Sequence, residues 1–303
     1  LGHVAIKILV HIEACEKTLT RRRLAASEKA EEAAAAPPPA AKGGRKKKVA
    51  EEAEAPADEE DALANELGSA AAAAEADSDT LLTMGERLLE PTALLGAWAP
   101  LVRAVCENSE GHFAPGVRAS AVLTLCKLMC VSSSFCEEQL QLLFSVLRAE
   151  PDRAIRANIC VALGDLAVRH PNLVEPWTPK LYAQLRDSDL RVRKNMLMVL
   201  THLILNDMVK VRGQISEMAL CLLDPEPKVV SIARLFFTEF AKKGSAPVYN
   251  LLPDMVASLS ASDKVDSAGF REILAFLIGF VQKDRQTESM VERLCPRFDT
   301  SDH

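Results

Sequence analysis

The chain has 303 residues, 36 Lys+Arg against 42 Asp+Glu for a formal net charge of −6, 49% apolar residues and only 5% aromatic ones. No apolar run reaches the roughly 18 residues that would cross a bilayer, and no secretory leader opens the chain, so a soluble, intracellular protein without a membrane partner is expected. Two Trp and two Tyr are too few to build a stacking platform for single-stranded nucleic acid.

In chain order, apolar residues at Ile8, Leu9, Ile12 and Cys15 follow helical spacing and predict an amphipathic helix over 1–24, ending on Arg21-Arg22-Arg23. A lone helix of that length is marginal in water, so packing on the rest of the protein is expected. Residues 25–80 are built from Ala, Glu, Pro, Gly, Lys and Asp, a composition that cannot bury enough surface to offset the entropy of ordering it. A disordered acidic linker is the expectation there. It carries 11 acidic and no basic residues between 49 and 80, whereas residues 1–48 are at +6 and residues 80–303 at −1. The cluster Arg45-Lys46-Lys47-Lys48 reads either as a nuclear-import signal or as a solvated charge run.

From residue 116 onward the sequence repeats. The blocks 117–125, 155–163, 192–200 and 229–237 align at offsets of 38, 37 and 37 residues, and acid or Pro turns precede three of them: Glu150-Pro151-Asp152, Asp187-Ser188-Asp189 and Asp224-Pro225-Glu226-Pro227. Apolar helical stretches at 139–148, 176–186 and 213–223 lead into those turns. Two helices per unit and a period near 40 predict an all-α fold, an α-solenoid of HEAT or armadillo type over 81–298, with a tail at 299–303. A less regular fifth unit is expected at 250–259 and 270–283, and a helix or helix pair at 80–110. The start at Leu1 and the stop after a helical pattern lead us to expect a piece of a longer protein.

No catalytic constellation is present: the phosphate loop, His-Glu-x-x-His, nucleophile elbow and dinucleotide fingerprint are all missing, so no enzyme, cofactor or small-molecule substrate is expected. His170 and His202 read as helix-end or packing residues rather than ligands. Eight Cys contain no Cys-x-x-Cys pair, and Cys126 and Cys130 make half a metal site at most, so they read as buried apolar residues. Between Lys180 and Lys243, 11 basic residues face 7 acidic ones. Stacked repeats would align Arg118, Arg156 and Arg193, either as phosphate contacts or, the favoured reading, as ties to the recurring acids. Lys210, Arg212, Lys242 and Lys243, with Lys194 and Lys228, are the candidates for sequence-independent contact with duplex DNA. Thr178-Pro179 is the Ser/Thr-Pro step of the chain, and helix capping is the favoured role for Thr178 over phosphorylation.

Several blocks resemble a known family. Gly164-Asp165-Leu166-Ala167-Val168-Arg169-His170-Pro171-Asn172-Leu173-Val174-Glu175-Pro176-Trp177 is similar to a signature of the condensin complex subunit 1 family, the HEAT-repeat subunits of condensin I. So are Leu205-Asn206-Asp207-Met208-Val209-Lys210-Val211-Arg212-Gly213-Gln214, Leu222-Leu223-Asp224-Pro225-Glu226-Pro227, Tyr249-Asn250-Leu251-Leu252-Pro253-Asp254 and Lys283-Asp284-Arg285-Gln286-Thr287-Glu288-Ser289. The resemblance covers 116–298 strongly and 80–115 weakly, and the condensin II relative looks less similar at the second and last of these later blocks. His112 to Gly116 departs from the family's acidic turn. The resemblance implies a scaffold that binds the kleisin chain and SMC ATPase heads and helps grip duplex DNA in mitotic chromosome condensation. It further implies a nuclear and chromosomal location with a cytoplasmic pool. The alternative is a transport or adaptor solenoid that binds peptide motifs without touching DNA.

Overall fold

The computed structural model of the protein describes residues 1–35, 80, 83–108, 111–209, 214–243, 248–281 and 284–298. The proposed linker from 36 to 79, its Arg45-Lys46-Lys47-Lys48 cluster and the tail 299–303 lie outside them. Two compact units are present, one ending at Trp98 and one running from Ala99 onward.

In the first unit, α1 (Gly2–Ala35) is longer than the apolar pattern predicts, since residues 25–35 are helical rather than part of a linker. Branched apolar residues stop near Leu24, but Ala, Glu and Lys are strong helix formers, and propensity carries the helix on. Ala5 and Leu9, one turn apart, are buried on one helix face. After a short helix α2 (residues 83–88), Leu89, Leu95 and Gly96 close a tight turn. A Cβ on Gly96 would stand 1.9 Å from the Glu90 carbonyl oxygen, so glycine is required there.

The second unit is the predicted solenoid, and it begins at Ala99 rather than at residue 81. It contains α3 (Ala99–Glu107), α4 (Pro115–Val131), α5 (Ser133–Ala149) and α6 (Arg153–Arg169). A segmented stretch follows, with α7 (Pro171–Val174) and α8 (Thr178–Ala183) joined and ended by single 3₁₀ turns. Then come α9 (Leu190–Leu205), α10 (Ile215–Leu220), α11 (Pro227–Lys242), α12 (Val248–Ser260), α13 (Ser267–Ile278) and α14 (Asp284–Phe298). Pro171, Pro176 and Pro179 each lack the amide that a continuous helix would need, which is why that stretch comes in pieces.

The four aligned blocks are the second helices of their units, and α4, α6, α9 and α11 stack side by side in order. Equivalent residues fill the same core layers: Leu125, Leu163, Leu200 and Phe237 in one, Leu128, Leu166, Leu203 and Phe240 in another, all buried. Full burial of one such side chain contributes about 2 kcal/mol, and each layer is shared between neighbours, so no unit buries its face alone. Asp152 and Asp189 cap α6 and α9 through the amides of Ala154 and Arg191. The third turn opens α11 with Pro227 at its first position and no side-chain cap. Beyond α11 an aromatic cluster takes over, with Phe236, Phe237, Phe240, Phe276 and Phe280 in edge and stacked contacts.

Candidate nucleic-acid interface

The aligned arginines build a ladder. Arg118 meets Glu150 at 2.6 Å, Arg156 meets Asp187 through two bonds of 2.9 and 2.8 Å, and Arg193 meets Asp224 through two of 2.8 and 3.1 Å. Each guanidinium thus reaches from one unit into the turn of the next. Arg156 also donates to the carbonyls of Glu150 and Pro151 in its own turn, and Arg193 donates to those of Asp187 and Ser188. The acids in turn accept the amides of Asp152, Asp189 and Glu226. Four of the five N–H groups of Arg193 are engaged in this way, and its side chain, 13% exposed, ties one unit to the next.

The first rung is incomplete. Arg118 Nε is buried without a partner among the described residues, and Val117 is 51% exposed where Ile155, Val192 and Val229 are buried. Arg118 meets Glu150 through Nη1 and Nη2, whereas Arg156 and Arg193 turn Nε and Nη2 to their aspartates, so the Nε of Arg118 is left over.

Ion pairing shapes the carboxyl of Asp187. Burial alone would raise its pKa, but the Arg156 guanidinium, the Asp189 amide and Arg193 together hold it below the ordinary carboxylate range. Arg156 and Arg193 are pushed up in response by hydrogen bonds to Asp187 and Asp224, their largest influence.

The remaining cations fall at two different edges of the stack. Lys194 is half-buried and Lys228 exposed, both at the starts of their helices and without an ion-pair partner among the described residues. Beside them, Arg153, Arg191 and Lys228 occupy the first turns of α6, α9 and α11, none of which holds an acidic residue. A cation beside the positive end of a helix dipole costs stability rather than adding it, so this row raises positive potential at one edge. The capping acids Asp152 and Asp189, together with Glu226, temper it, and Asp189 lies 3.7 Å from Arg153.

At the opposite edge, Lys243 donates to the Leu205 carbonyl at 2.7 Å and to Asp207 at 2.6 Å, fastening the end of α11 to the end of α9. His170 Nε2 makes the equivalent link from the end of α6 to the Met129 carbonyl of α4, at 3.1 Å. Lys242 pairs with Glu239 one turn back, an exposed contact that leaves it available. Lys210 and Arg212 lie outside the described residues. Among the described candidates, Lys194 and Lys228 lie toward one end of their helices and Lys242 and Lys243 at the other, and a helix such as α9 is about 24 Å long for its 16 residues.

Cys106, Cys126, Cys136, Cys160 and Cys221 are buried, Cys15 and Cys130 half-buried and Cys295 exposed. Desolvation pushes the thiols of Cys106, Cys136, Cys160 and Cys221 up to about 12 and that of Cys130 to about 11, and raises Cys126 further. None of these ionises near neutral pH, which makes them poor nucleophiles. Thr178 is 8% exposed, and its hydroxyl donates to the Glu175 carbonyl at 2.7 Å. It fastens the helix break from inside; the expected side-chain cap is absent because Trp177 occupies the capping position.

One feature escapes a reading based on charge. Leu123, Val161, Met198 and Leu235 are 37%, 45%, 51% and 58% exposed, and they stand at the same position of successive units. The signal was in the blocks, at offsets of 38, 37 and 37 residues. Apolar character there was absorbed into the expected core.

Comparison with known proteins decides the family. The profile of non-SMC mitotic condensation complex subunit 1 matches residues 154–303. Human condensin complex subunit 1 is 43% identical over 305 residues, covering 99% of this chain. The chain belongs to the condensin complex subunit 1 family. The condensin-1 complex subunit CAP-D2 of Arabidopsis thaliana is 42% identical over 98% of the chain. The chain spans about one fifth of the length of each of these condensin relatives, 20% in both cases. Among solved structures, a designed armadillo repeat protein in complex with the peptide (KR)4 overlays at TM-score 0.39 and 12% identity, covering 69% of this chain and 94% of that one, too loosely to bear on function.

Proposed function

We propose that this chain is a non-catalytic scaffold segment of a condensin complex, docking an extended kleisin segment along its repeats and adding sequence-independent contacts to duplex DNA beside the SMC ATPase heads. The observation that carries the reading is the row Leu123, Val161, Met198 and Leu235 on a chain of this family. Packed helices lie about 8–10 Å apart, and one three-residue turn of an extended polyproline-II chain spans about 9 Å and returns the same face. An extended partner presenting an apolar side chain at every third residue meets one row position per unit. For the DNA contact, Lys194 and Lys228 with Arg191 are the candidates among the described residues, and Lys210 and Arg212 remain candidates from the sequence. A role in such a complex goes with a nuclear location, on mitotic chromosomes.

Titration of duplex DNA across a salt series tests the DNA half of this reading. Affinity is expected to fall linearly on a log–log plot, and charge reversal of Lys194, Lys228, Lys210 and Arg212 should flatten the slope by about 0.9 for each phosphate that is no longer neutralised. Binding that ignores salt, or a slope untouched by the reversal, rejects it.

A further inference from the structure

Between the first helices of two successive units lies a recess of about 610 Å³, lined by residues of α5, α8 and the turn that follows α8. That is the size of a small-ligand pocket. Its charged lining is Arg148, Arg156, Lys180 and Arg186 against Glu150 and Asp187. Glu150 is neutralised by Arg118, Arg156 by Asp187, and Arg186 by Glu217, which Lys264 also contacts. Arg148 and Lys180 are left, both exposed and with no carboxylate partner among the described residues.

The end of a helix accounts for Arg148, because a cation there complements the dipole. Lys180 lies in the last turn of α8 in the same way, and ring contacts hold it as well. Its ammonium sits 4.0 Å above the Trp177 ring and 5.5 Å from that of Phe144, and those rings stack at 4.5 Å with their planes within 5°. Cation–π contact fixes a side chain that would otherwise sample many rotamers. The result is one pre-set positive charge, with Arg148 beside it in the lining of a recess whose walls add the polar side chains of Gln141, Ser145, Gln184 and Ser188.

We propose that this recess is a docking site for a phosphorylated side chain of a partner peptide. A phosphoserine or phosphothreonine carries about −1.5 to −2 charge at neutral pH and three acceptor oxygens, which matches the two unpaired cations and the surrounding hydrogen-bonding groups. A carboxylate can bridge two cations, as Glu217 does with Arg186 and Lys264, but it brings a single negative charge where the phosphate brings nearly two. A duplex presents its phosphates on a convex surface and does not enter a recess of this volume. The site is independent of the duplex contacts at the starts of α9 and α11 and of the exposed apolar row.

The test uses the full chain and two degenerate peptide pools, one with a fixed central phosphothreonine and one with unmodified threonine, measured by fluorescence anisotropy. The phosphorylated pool should bind at least tenfold more tightly than its twin. Arg148→Glu with Lys180→Glu should abolish that preference, leave the melting temperature unchanged because both side chains are exposed, and leave duplex affinity within twofold. Lys180→Arg should retain the preference. Equal binding of the two pools, or full phosphopeptide binding by the double variant, overturns the proposal. So does parallel loss of duplex and phosphopeptide binding, which would make the recess part of the DNA surface.

Discussion

Asp187 accepts two bonds from Arg156, one from the Asp189 amide, and lies near Arg193, so it joins two units through one carboxylate. Folding lowers its pKa below the unfolded value of about 3.9. Its contribution is therefore complete above that value and is lost as pH falls through the lower, folded pKa. Asp187→Asn keeps the size but not the charge, leaving Arg156 buried without its counter-ion, and should cost about 2–4 kcal/mol near neutral pH. In denaturant titrations at several pH values, the gap between variant and wild type should narrow as pH falls below the unfolded pKa of about 3.9 and close once the wild-type carboxyl is protonated in the folded state too. A gap constant with pH would show that packing, not charge, is what the substitution removes. Thr178 gives a second residue-scale expectation. Buried and bonded to Glu175, it needs local opening to meet a kinase. Thr178→Glu should lower the melting temperature rather than mimic a tolerated modification, and an unchanged melt would contradict its placement.

Helices approach most closely where α6 meets α9. A Cβ on Gly164 would stand 2.8 and 3.0 Å from the two methyls of Val199. Alanine gains up to about 1 kcal/mol of helix propensity over glycine, but overpacking a filled core costs about 1–3 kcal/mol. Gly164→Ala is thus expected to destabilise, and Val199→Ala added to it should restore part of the loss, a coupling that a double-mutant cycle measures directly. Additive losses would mean the two side chains never met. At this scale much was readable from the sequence. Acid and arginine recur at nearly fixed offsets, so both the turns and the ladder could be anticipated, as could an irregular first unit from the missing acid before Gly116. Lys243 could not be anticipated as a latch, because its partners, a carbonyl at the end of α9 and Asp207, leave no periodic trace. The reach of α1 to Ala35 was hidden for a different reason: apolar spacing marks the buried face of a helix, and propensity alone carries the rest.

Across the whole chain, the formal charge of −6 says little about DNA, since 11 acidic residues crowd into 49–80 and the remainder from 80 onward is at −1. Distribution matters more than the total, and the structure divides it further: Arg118, Arg156 and Arg193 are held in the ladder and Lys243 in a latch, whereas among the described residues Arg191, Lys194 and Lys228 lie near helix starts, Lys242 at a helix end, and Arg148 and Lys180 around the recess beside Trp177. In a stack of units held by nearest-neighbour contacts, polar ties at the edges set the register while the exposed apolar row adds nothing to the fold. Four apolar side chains at one position in four successive units are the basis of the proposed kleisin track. Capture of a kleisin fragment by the full chain, compared with a variant carrying Leu123→Ser, Val161→Ser, Met198→Ser and Leu235→Ser, tests that claim most directly. The account predicts retention by the wild-type chain and at least a tenfold loss of affinity in a variant that melts at the same temperature. Equal retention by both, or no capture by the folded wild-type chain, would contradict it.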